Sequence, residues 1–214
     1  MCARFDTLGA DGRPARLGIM GGTFDPIHYG HLVTAEQARE SLDLDAVLFM
    51  PAGSPAFKLH KPVTPAEDRY AMTVLATAAN PAFLASRFEI DRPGETYTVD
   101  TLRALRAYYP SNVALYFISG ADAVLRILEW RDASEVGRLA HLVAVTRPGY
   151  NIDDARRKYM RTHAAIHHVS TVEVTALAVS STDLREKVRA GRSIRYLVPQ
   201  VVADYIEERG LYRP

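Results

Sequence analysis

The stretch Gly21-Gly22-Thr23-Phe24-Asp25-Pro26-Ile27-His28-Tyr29-Gly30-His31 holds the residue types best suited to chemistry. It follows an apolar run that reads as a strand and leads into a periodic run that reads as a helix. Two adjacent glycines let backbone N–H groups come close to a ligand, and an emerging helix N-terminus favours negative charge, so the place suits a phosphate. His28 and His31 lie three apart with Gly30 leaving room beside them, a spacing that lets both imidazoles face one phosphate from a single helical turn. Taken one at a time, these residues have plainer readings: a tight turn at Gly21–Gly22, a loop start at Asp25-Pro26, incidental histidines. Their joint occurrence between a strand and a helix carries the phosphate reading.

A second cluster, Ser180-Ser181-Thr182-Asp183-Leu184-Arg185, opens another helix late in the chain. Hydroxyls, a helix N-terminus and an arginine one turn in can bind a polyphosphate through neutral donors and a bidentate guanidinium. Alone, it reads as an ordinary N-cap; a phosphate site elsewhere in the same domain shifts it toward a ligand. The commonest nucleotide and metal signatures, G-x-G-x-x-G, G-x-x-x-x-G-K-[ST] and H-E-x-x-H, do not occur. Cys2 is the single cysteine, which excludes an intrachain disulfide and a Cys-based zinc site.

Composition narrows the partners. Twenty-six Lys plus Arg against 25 Asp plus Glu leave a net charge of +1 in 214 residues, so bulk charge gives no reason to expect nucleic acid or an anionic membrane. The longest apolar runs, such as 46–52, fall far short of the roughly 18 residues of a membrane span. The charged N-terminus, with Arg4, Asp6, Asp11 and Arg13, lacks the apolar segment of a secretory signal, and a cytoplasmic address is the expectation.

The elements that must position these residues alternate. Strands are expected at 17–20, 46–50, 83–90, 113–119 and 141–146, with weaker ones at 165–169 and 172–174. Helices are expected at 31–42, 65–79, 98–108, 121–129, 153–162, 182–190 and 199–209. Thr64 and Glu67 have the spacing of a capping box, and Gly191 and Gly210 close the last two helices. Residues 1–16 read as a poorly ordered leader, and 17–214 as one domain with a core over 17–179 and a C-terminal helical part over 180–214. The pattern predicts an α/β fold: a doubly wound, mostly parallel, Rossmann-like sheet with helices on both faces and its ligand site at the carboxyl ends of the strands.

The two clusters together resemble the signatures of the nucleotidyltransferase superfamily that carries the H-x-G-H motif, Ser180 to Arg185 matching its S-S-T-x-[IL]-R. Further matches are similar to one branch, the bacterial nicotinate-nucleotide adenylyltransferases: Thr96 to Leu102 resembles Y-T-x-x-T-L, Gly120-Ala121-Asp122 with Trp130 resembles G-x-D and a downstream Trp, and Ile194 to Pro199 resembles I-R-Y-L-V-P. The resemblance runs from about Leu17 to the C-terminus. It implies transfer of AMP from ATP to nicotinate mononucleotide, with release of pyrophosphate, in NAD biosynthesis. It implies that His28, His31 and Arg185 are catalytic and that Gly21, Gly22, Thr23, Phe24, Gly120, Asp122, Ser180, Ser181 and Thr182 bind ATP alongside them. Thr98, Trp130, Arg131 and Lys58 would meet the acceptor, and Mg²⁺ would accompany the triphosphate, with no metal cage of protein ligands. Asp122 reads equally as a helix cap, Trp130 as a core residue and Lys58 as a solvated lysine. Where the branch often has P-x-x-x-P-P-H-K, this chain has Phe57 in the place of the histidine; Lys61 and Arg69 are alternative phosphate cations nearby. A homo-oligomer is left open.

Overall fold

The computed structural model describes residues 3–55, 63–125, 130–148 and 169–213. In chain order they form α1 (Ala3–Asp6), β1 (Ala15–Gly22), α2 (Tyr29–Ser41), β2 (Ala46–Pro51), β3 (Ser54–Pro55), α3 (Ala66–Thr77), β4 (Phe83–Ala85), β5 (Glu95–Thr96), α4 (Thr98–Tyr108), β6 (Val113–Gly120), α5 (Ala121–Leu125), α6 (Ala133–Leu139), β7 (His141–Thr146), β8 (Val169–Glu173), α7 (Ser181–Arg189) and α8 (Gln200–Glu208). Six strands make one sheet in the order β4-β2-β1-β6-β7-β8, and every neighbouring pair is parallel. Strand order reverses between β1 and β6, and a doubly wound sheet opens a ligand crevice there, outside the carboxyl ends.

Parallel strands covered on both faces are apolar throughout, and all six residues of β2 are buried. Alternation along each strand divides the core in two. One face packs Leu17, Ile19, Leu48, Met50, Leu115 and Phe117 against Val99, Leu102 and Leu105 of α4 and Val136 of α6. The other packs Val47, Phe49, Ile118 and Val143 against Ala35 and Ala38 of α2, Met72 of α3, Leu184 of α7, and Val202 and Ile206 of α8. The C-terminal helices thus share a core with α2 and α3.

Several expectations need correction. The stretch 1–16, expected as a poorly ordered leader, packs on the fold over its described part: Phe5 of α1 is 3% exposed in the first core. Asn112 donates to the carbonyls of Gly9 and Arg13, and β1 begins at Ala15. Tertiary contacts supply what the segment's irregular sequence does not advertise. The strand expected over 83–90 ends at Ala85, because the Ser86 hydroxyl accepts from the Phe88 N–H and starts a turn. The Thr64–Glu67 capping box does not form. Helix α3 begins after Pro65 with no side-chain cap, and Glu67 instead receives both Nη atoms of Arg87 at 2.7 Å. Strand β8 covers residue 169 of the strand expected at 165–169 and residues 172 and 173 of the one expected at 172–174; residues 165–168 and the helix expected at 153–162 lie outside the described residues.

Candidate active site

A cleft of about 320 Å³ lies over the switch point. Its floor is Met20 and Gly21 of β1, Ile118, Ser119 and Gly120 of β6, and Val145 and Thr146 of β7; His28, Gly30, His31 and Thr34 form the side at the start of α2. The two imidazoles stack with centroids 3.8 Å apart and planes 25° off parallel. His28 is 6% exposed, and burial holds its pKa down at about 4, so the ring is neutral at pH 7. The Nδ1 of His28 is buried with no hydrogen-bond partner among the described residues. His31 Nδ1 accepts from the His28 backbone N–H at 3.2 Å, which assigns the His31 proton to Nε2. Gly30 is sterically required: a Cβ there would sit 2.9 Å from His28 Nδ1. The signature's glycine makes room for its first histidine.

Phe24 is 2% exposed, adopts φ 50°, and sets its ring edge-on to His31 at 5.0 Å. Its ring packs on His31 rather than lining the cleft, and Gly22 and Thr23 are likewise outside the wall, on the loop that leads from β1 to it.

The second cluster docks on the first. Ser181 Oγ donates to the Pro26 carbonyl at 2.9 Å, and Arg185 Nη1 donates to the Asp25 carbonyl at 2.7 Å. Segments about 150 residues apart in sequence thus meet at one loop. Arg185 Nη2 also reaches Thr182 Oγ1 at 3.3 Å. Ser180 accepts from the Asp183 N–H and caps α7, so its plainer reading as an N-cap is realised in the structure. The Tyr29 N–H donates to the Leu197 carbonyl, which brings the I-R-Y-L-V-P stretch to the same loop. Asp25 is committed internally, accepting from Tyr212 Oη at 2.7 Å and from the Thr64 N–H at 3.4 Å.

The residues expected at the acceptor gather beside the other core. Trp130 is half-buried and edge-on to Phe117 at 5.7 Å. Arg131 is exposed, stacks over the Tyr97 ring at 4.9 Å and lies 4.0 Å from Asp100. Thr98 is the first residue of α4, whose N-cap is Tyr97. Helix α4's N-terminus, Trp130 and Arg131 therefore form one neighbourhood, separate from the histidine cleft. Gly120 lines the cleft and Asp122 is the second residue of α5, which starts beside it. Lys58, Phe57 and Lys61 lie outside the described residues.

Arg69 is not a phosphate cation. It is 1% exposed and spends its guanidinium on the carbonyls of Thr64, Thr23 and Gly53 at 2.9, 2.9 and 3.0 Å. Sequence reasoning also missed Thr34, Thr146, Arg147 and Thr175 in the cleft wall; no local motif marks them, and only sheet closure brings them together. Among the described residues no three His, Cys, Asp or Glu side chains come together to hold a metal ion.

Comparison with known proteins agrees with this arrangement. Residues 19–187 match the cytidylyltransferase-like family model. A chain from Moorella thermoacetica, named probable nicotinate-nucleotide adenylyltransferase, is 53% identical over 205 residues, which are 94% of each chain. One of the same name from Salinispora arenicola is 53% identical over 194 residues, 91% of this chain and 100% of that one. The solved structure of Plasmodium falciparum nicotinic acid mononucleotide adenylyltransferase complexed with NaAD superposes with a TM-score of 0.75 at 18% identity, covering 92% of this chain and 97% of that one, and shares the fold. With an H-x-G-H pair at the switch point, the S-S-T-x-[IL]-R helix docked on its loop, and this extent of identity along the chain, the protein belongs to the nicotinate-nucleotide adenylyltransferase family.

Proposed function

We propose that the protein transfers the adenylyl group of ATP to the phosphate of nicotinate mononucleotide, releasing pyrophosphate and forming nicotinate adenine dinucleotide, a step of NAD biosynthesis. The observation that carries the reading is the stacked His28–His31 pair in a cleft whose loop is hydrogen-bonded to the N-terminal turn of α7.

An oxygen of the mononucleotide's phosphate attacks the α-phosphorus of ATP; the new P–O bond forms as the bond to the β-phosphate oxygen breaks, and pyrophosphate leaves with that electron pair. No protein nucleophile is needed, so catalysis rests on positioning and on charge stabilisation. His31, with its proton on Nε2, is a ready donor to a phosphate oxygen. His28, neutral when the site is empty, gains affinity for a proton beside a polyanion. Arg185 keeps guanidinium N–H groups beyond those given to Asp25 and Thr182, and Gly21 lets the chain end of β1 approach the nucleotide. Gly120, which lines the cleft, and Asp122 are retained as the residues that read the ribose hydroxyls on the resemblance.

On the acceptor side, Trp130 offers a ring face for the pyridine, while the start of α4 and Arg131 favour its carboxylate. Lys58 is retained as a phosphate contact on the resemblance alone. Asp25, the carboxylate of the loop, is already hydrogen-bonded twice, so Mg²⁺ would travel on the triphosphate oxygens and its own waters, where it neutralises phosphate charge. No described helix is long and apolar enough to cross a membrane, and we take the reaction to run in the cytoplasm. Incubation with ATP, Mg²⁺ and nicotinate mononucleotide should release pyrophosphate and yield the dinucleotide. Adenylylation of nicotinamide mononucleotide or phosphopantetheine alone would overturn the substrate assignment.

A further inference from the structure

A buried polar chain joins the two halves of the site. At one end, Arg69 Nη1 holds the carbonyl of Thr23, directly after the glycines of the nucleotide loop. Its Nη2 holds the carbonyl of Gly53, in the segment after β2. Gly53 is pressed onto the next residue of the chain of contacts: a Cβ at position 53 would lie 2.2 Å from the Glu89 carbonyl oxygen, which no side chain tolerates. Glu89 is 6% exposed, and its Oε1 accepts from Thr101 Oγ1 at 2.6 Å. Thr101 stands one turn into α4, and its N–H bonds the carbonyl of Tyr97, the residue before Thr98. A short second sheet reinforces the middle link, with Ser54 paired to Glu95 and Pro55 to Thr96 on the segment entering α4.

Neither Arg69 nor Glu89 lines the cleft, and neither bonds Trp130 or Arg131 in the structure. A buried arginine whose fork is filled by three carbonyls from three different loops fixes distances between those loops, since its guanidinium is planar and rigid. The buried Glu89 carboxyl does the same for α4, because leaving either it or the Thr101 hydroxyl without the other carries a desolvation cost. In-line transfer between two bound substrates depends on their separation, and a displacement of about 1 Å costs on the order of 10²-fold in rate.

Resting on the adenylyl-transfer reading above, we propose that Arg69 and Glu89 are positioning residues that together set the spacing between the nucleotide loop and the acceptor helix. Each substrate binds to its own half, and the relay through Gly53 determines whether the two halves are in register for transfer. The relay predicts a specific kinetic pattern. Thr101→Val and Glu89→Ala lower kcat on the order of 10²-fold, while the Kd of a non-hydrolysable ATP analogue alone and of nicotinate mononucleotide alone each shift by less than about threefold. Glu89→Gln, which keeps an acceptor for Thr101, recovers most of the loss. Arg69→Lys, a point charge unable to span three carbonyls, lowers kcat in the same way, and its combination with Thr101→Val costs little more than the worse single change, because both act on one distance.

Circular dichroism and melting confirm that each variant is folded before it is assayed. Variants that melt earlier yet keep kcat within about twofold, or losses that add fully in the double variant, would overturn the proposal by reducing these residues to local stabilisers. Absence of pyrophosphate release from the unaltered protein with nicotinate mononucleotide would instead remove the reaction assignment. Amide hydrogen exchange then decides the relay by itself: Arg69→Lys should raise exchange in both the 21–24 and 98–102 segments, and a change confined to 21–24 would refute the coupling.

Discussion

The nucleotide cleft and the acceptor neighbourhood are built by different means. The loop 21–31 is held from outside by Arg185, Ser181, Arg69, Tyr212 and the Leu197 carbonyl, contributed by segments remote in sequence, and Phe24, Asp25, Ile27 and His28 of it are buried. The acceptor side presents a half-buried tryptophan and an exposed arginine beside an ion network in which Arg103 meets Asp100, Asp132 and Glu135. A backbone-pinned loop is preorganised for charge that every turnover develops, while surface side chains can tune recognition of one acceptor at little cost to the fold. On the proposed reading, catalytic power belongs with the first region and substrate choice with the second.

The largest effect that tests this division is His31→Ala, for which a kcat loss on the order of 10²-fold, about 3 kcal/mol, is expected with both substrate affinities nearly retained. Single-turnover pyrophosphate release measures it; a change confined to KM would place His31 in binding alone. Next in size is Glu89. Burial raises its pKa to about 7, so between the ordinary carboxylate value and pH 7 the folded state binds more protons than the unfolded one, and stability falls as pH rises through that window. Glu89→Gln should then stabilise the protein at pH 8 by up to about 3 kcal/mol, with the advantage gone near pH 4. Urea melts at the two pH values read this directly, and a gain independent of pH would contradict it.

His28 slopes the other way: its lowered pKa means that the folded state binds fewer protons between pH 4 and 6.5, so stability falls as pH drops through that range. ATP should reverse the depression, and calorimetry in two buffers near pH 6 should detect proton uptake of up to about one per site on nucleotide binding. A smaller and more selective effect belongs to Trp130→Ala, which should raise KM for nicotinate mononucleotide roughly tenfold, about 1.4 kcal/mol, and leave KM for ATP unchanged. An equal rise in both would dissolve the separation of the two regions. Smallest is Arg131→Ala, expected to narrow the preference for the acid over the amide mononucleotide by under about 1 kcal/mol, since this guanidinium is exposed.

Much of the nucleotide side was legible in the sequence because its signals are local. Glycine pairs, a histidine spacing and an N-cap are short-range chemistry, and α2, α4, α7 and β7 stand within two residues of their expected positions. The exceptions share a cause. Thr64 and Glu67 have the right spacing for a cap, yet Arg87, 20 residues on, captures the carboxylate. Arg69 reads as a free cation until three loops close around it. The packing of the Phe24 ring against His31 likewise exists only once the loop has folded.

What the sequence by itself determined is which groups exist and how each strand or turn presents them: the imidazoles at a helix start, the hydroxyls at the start of α7, an alternation that makes a doubly wound sheet. Only the tertiary structure decided which of them meet, where burial strips His28 of its charge, and that Arg69 and Glu89 tie one loop to another. The physical reason is range. Turn and cap chemistry acts over a few residues and is written in adjacent letters, whereas desolvation and buried hydrogen bonding depend on neighbours that arrive from anywhere in the chain once the core has closed.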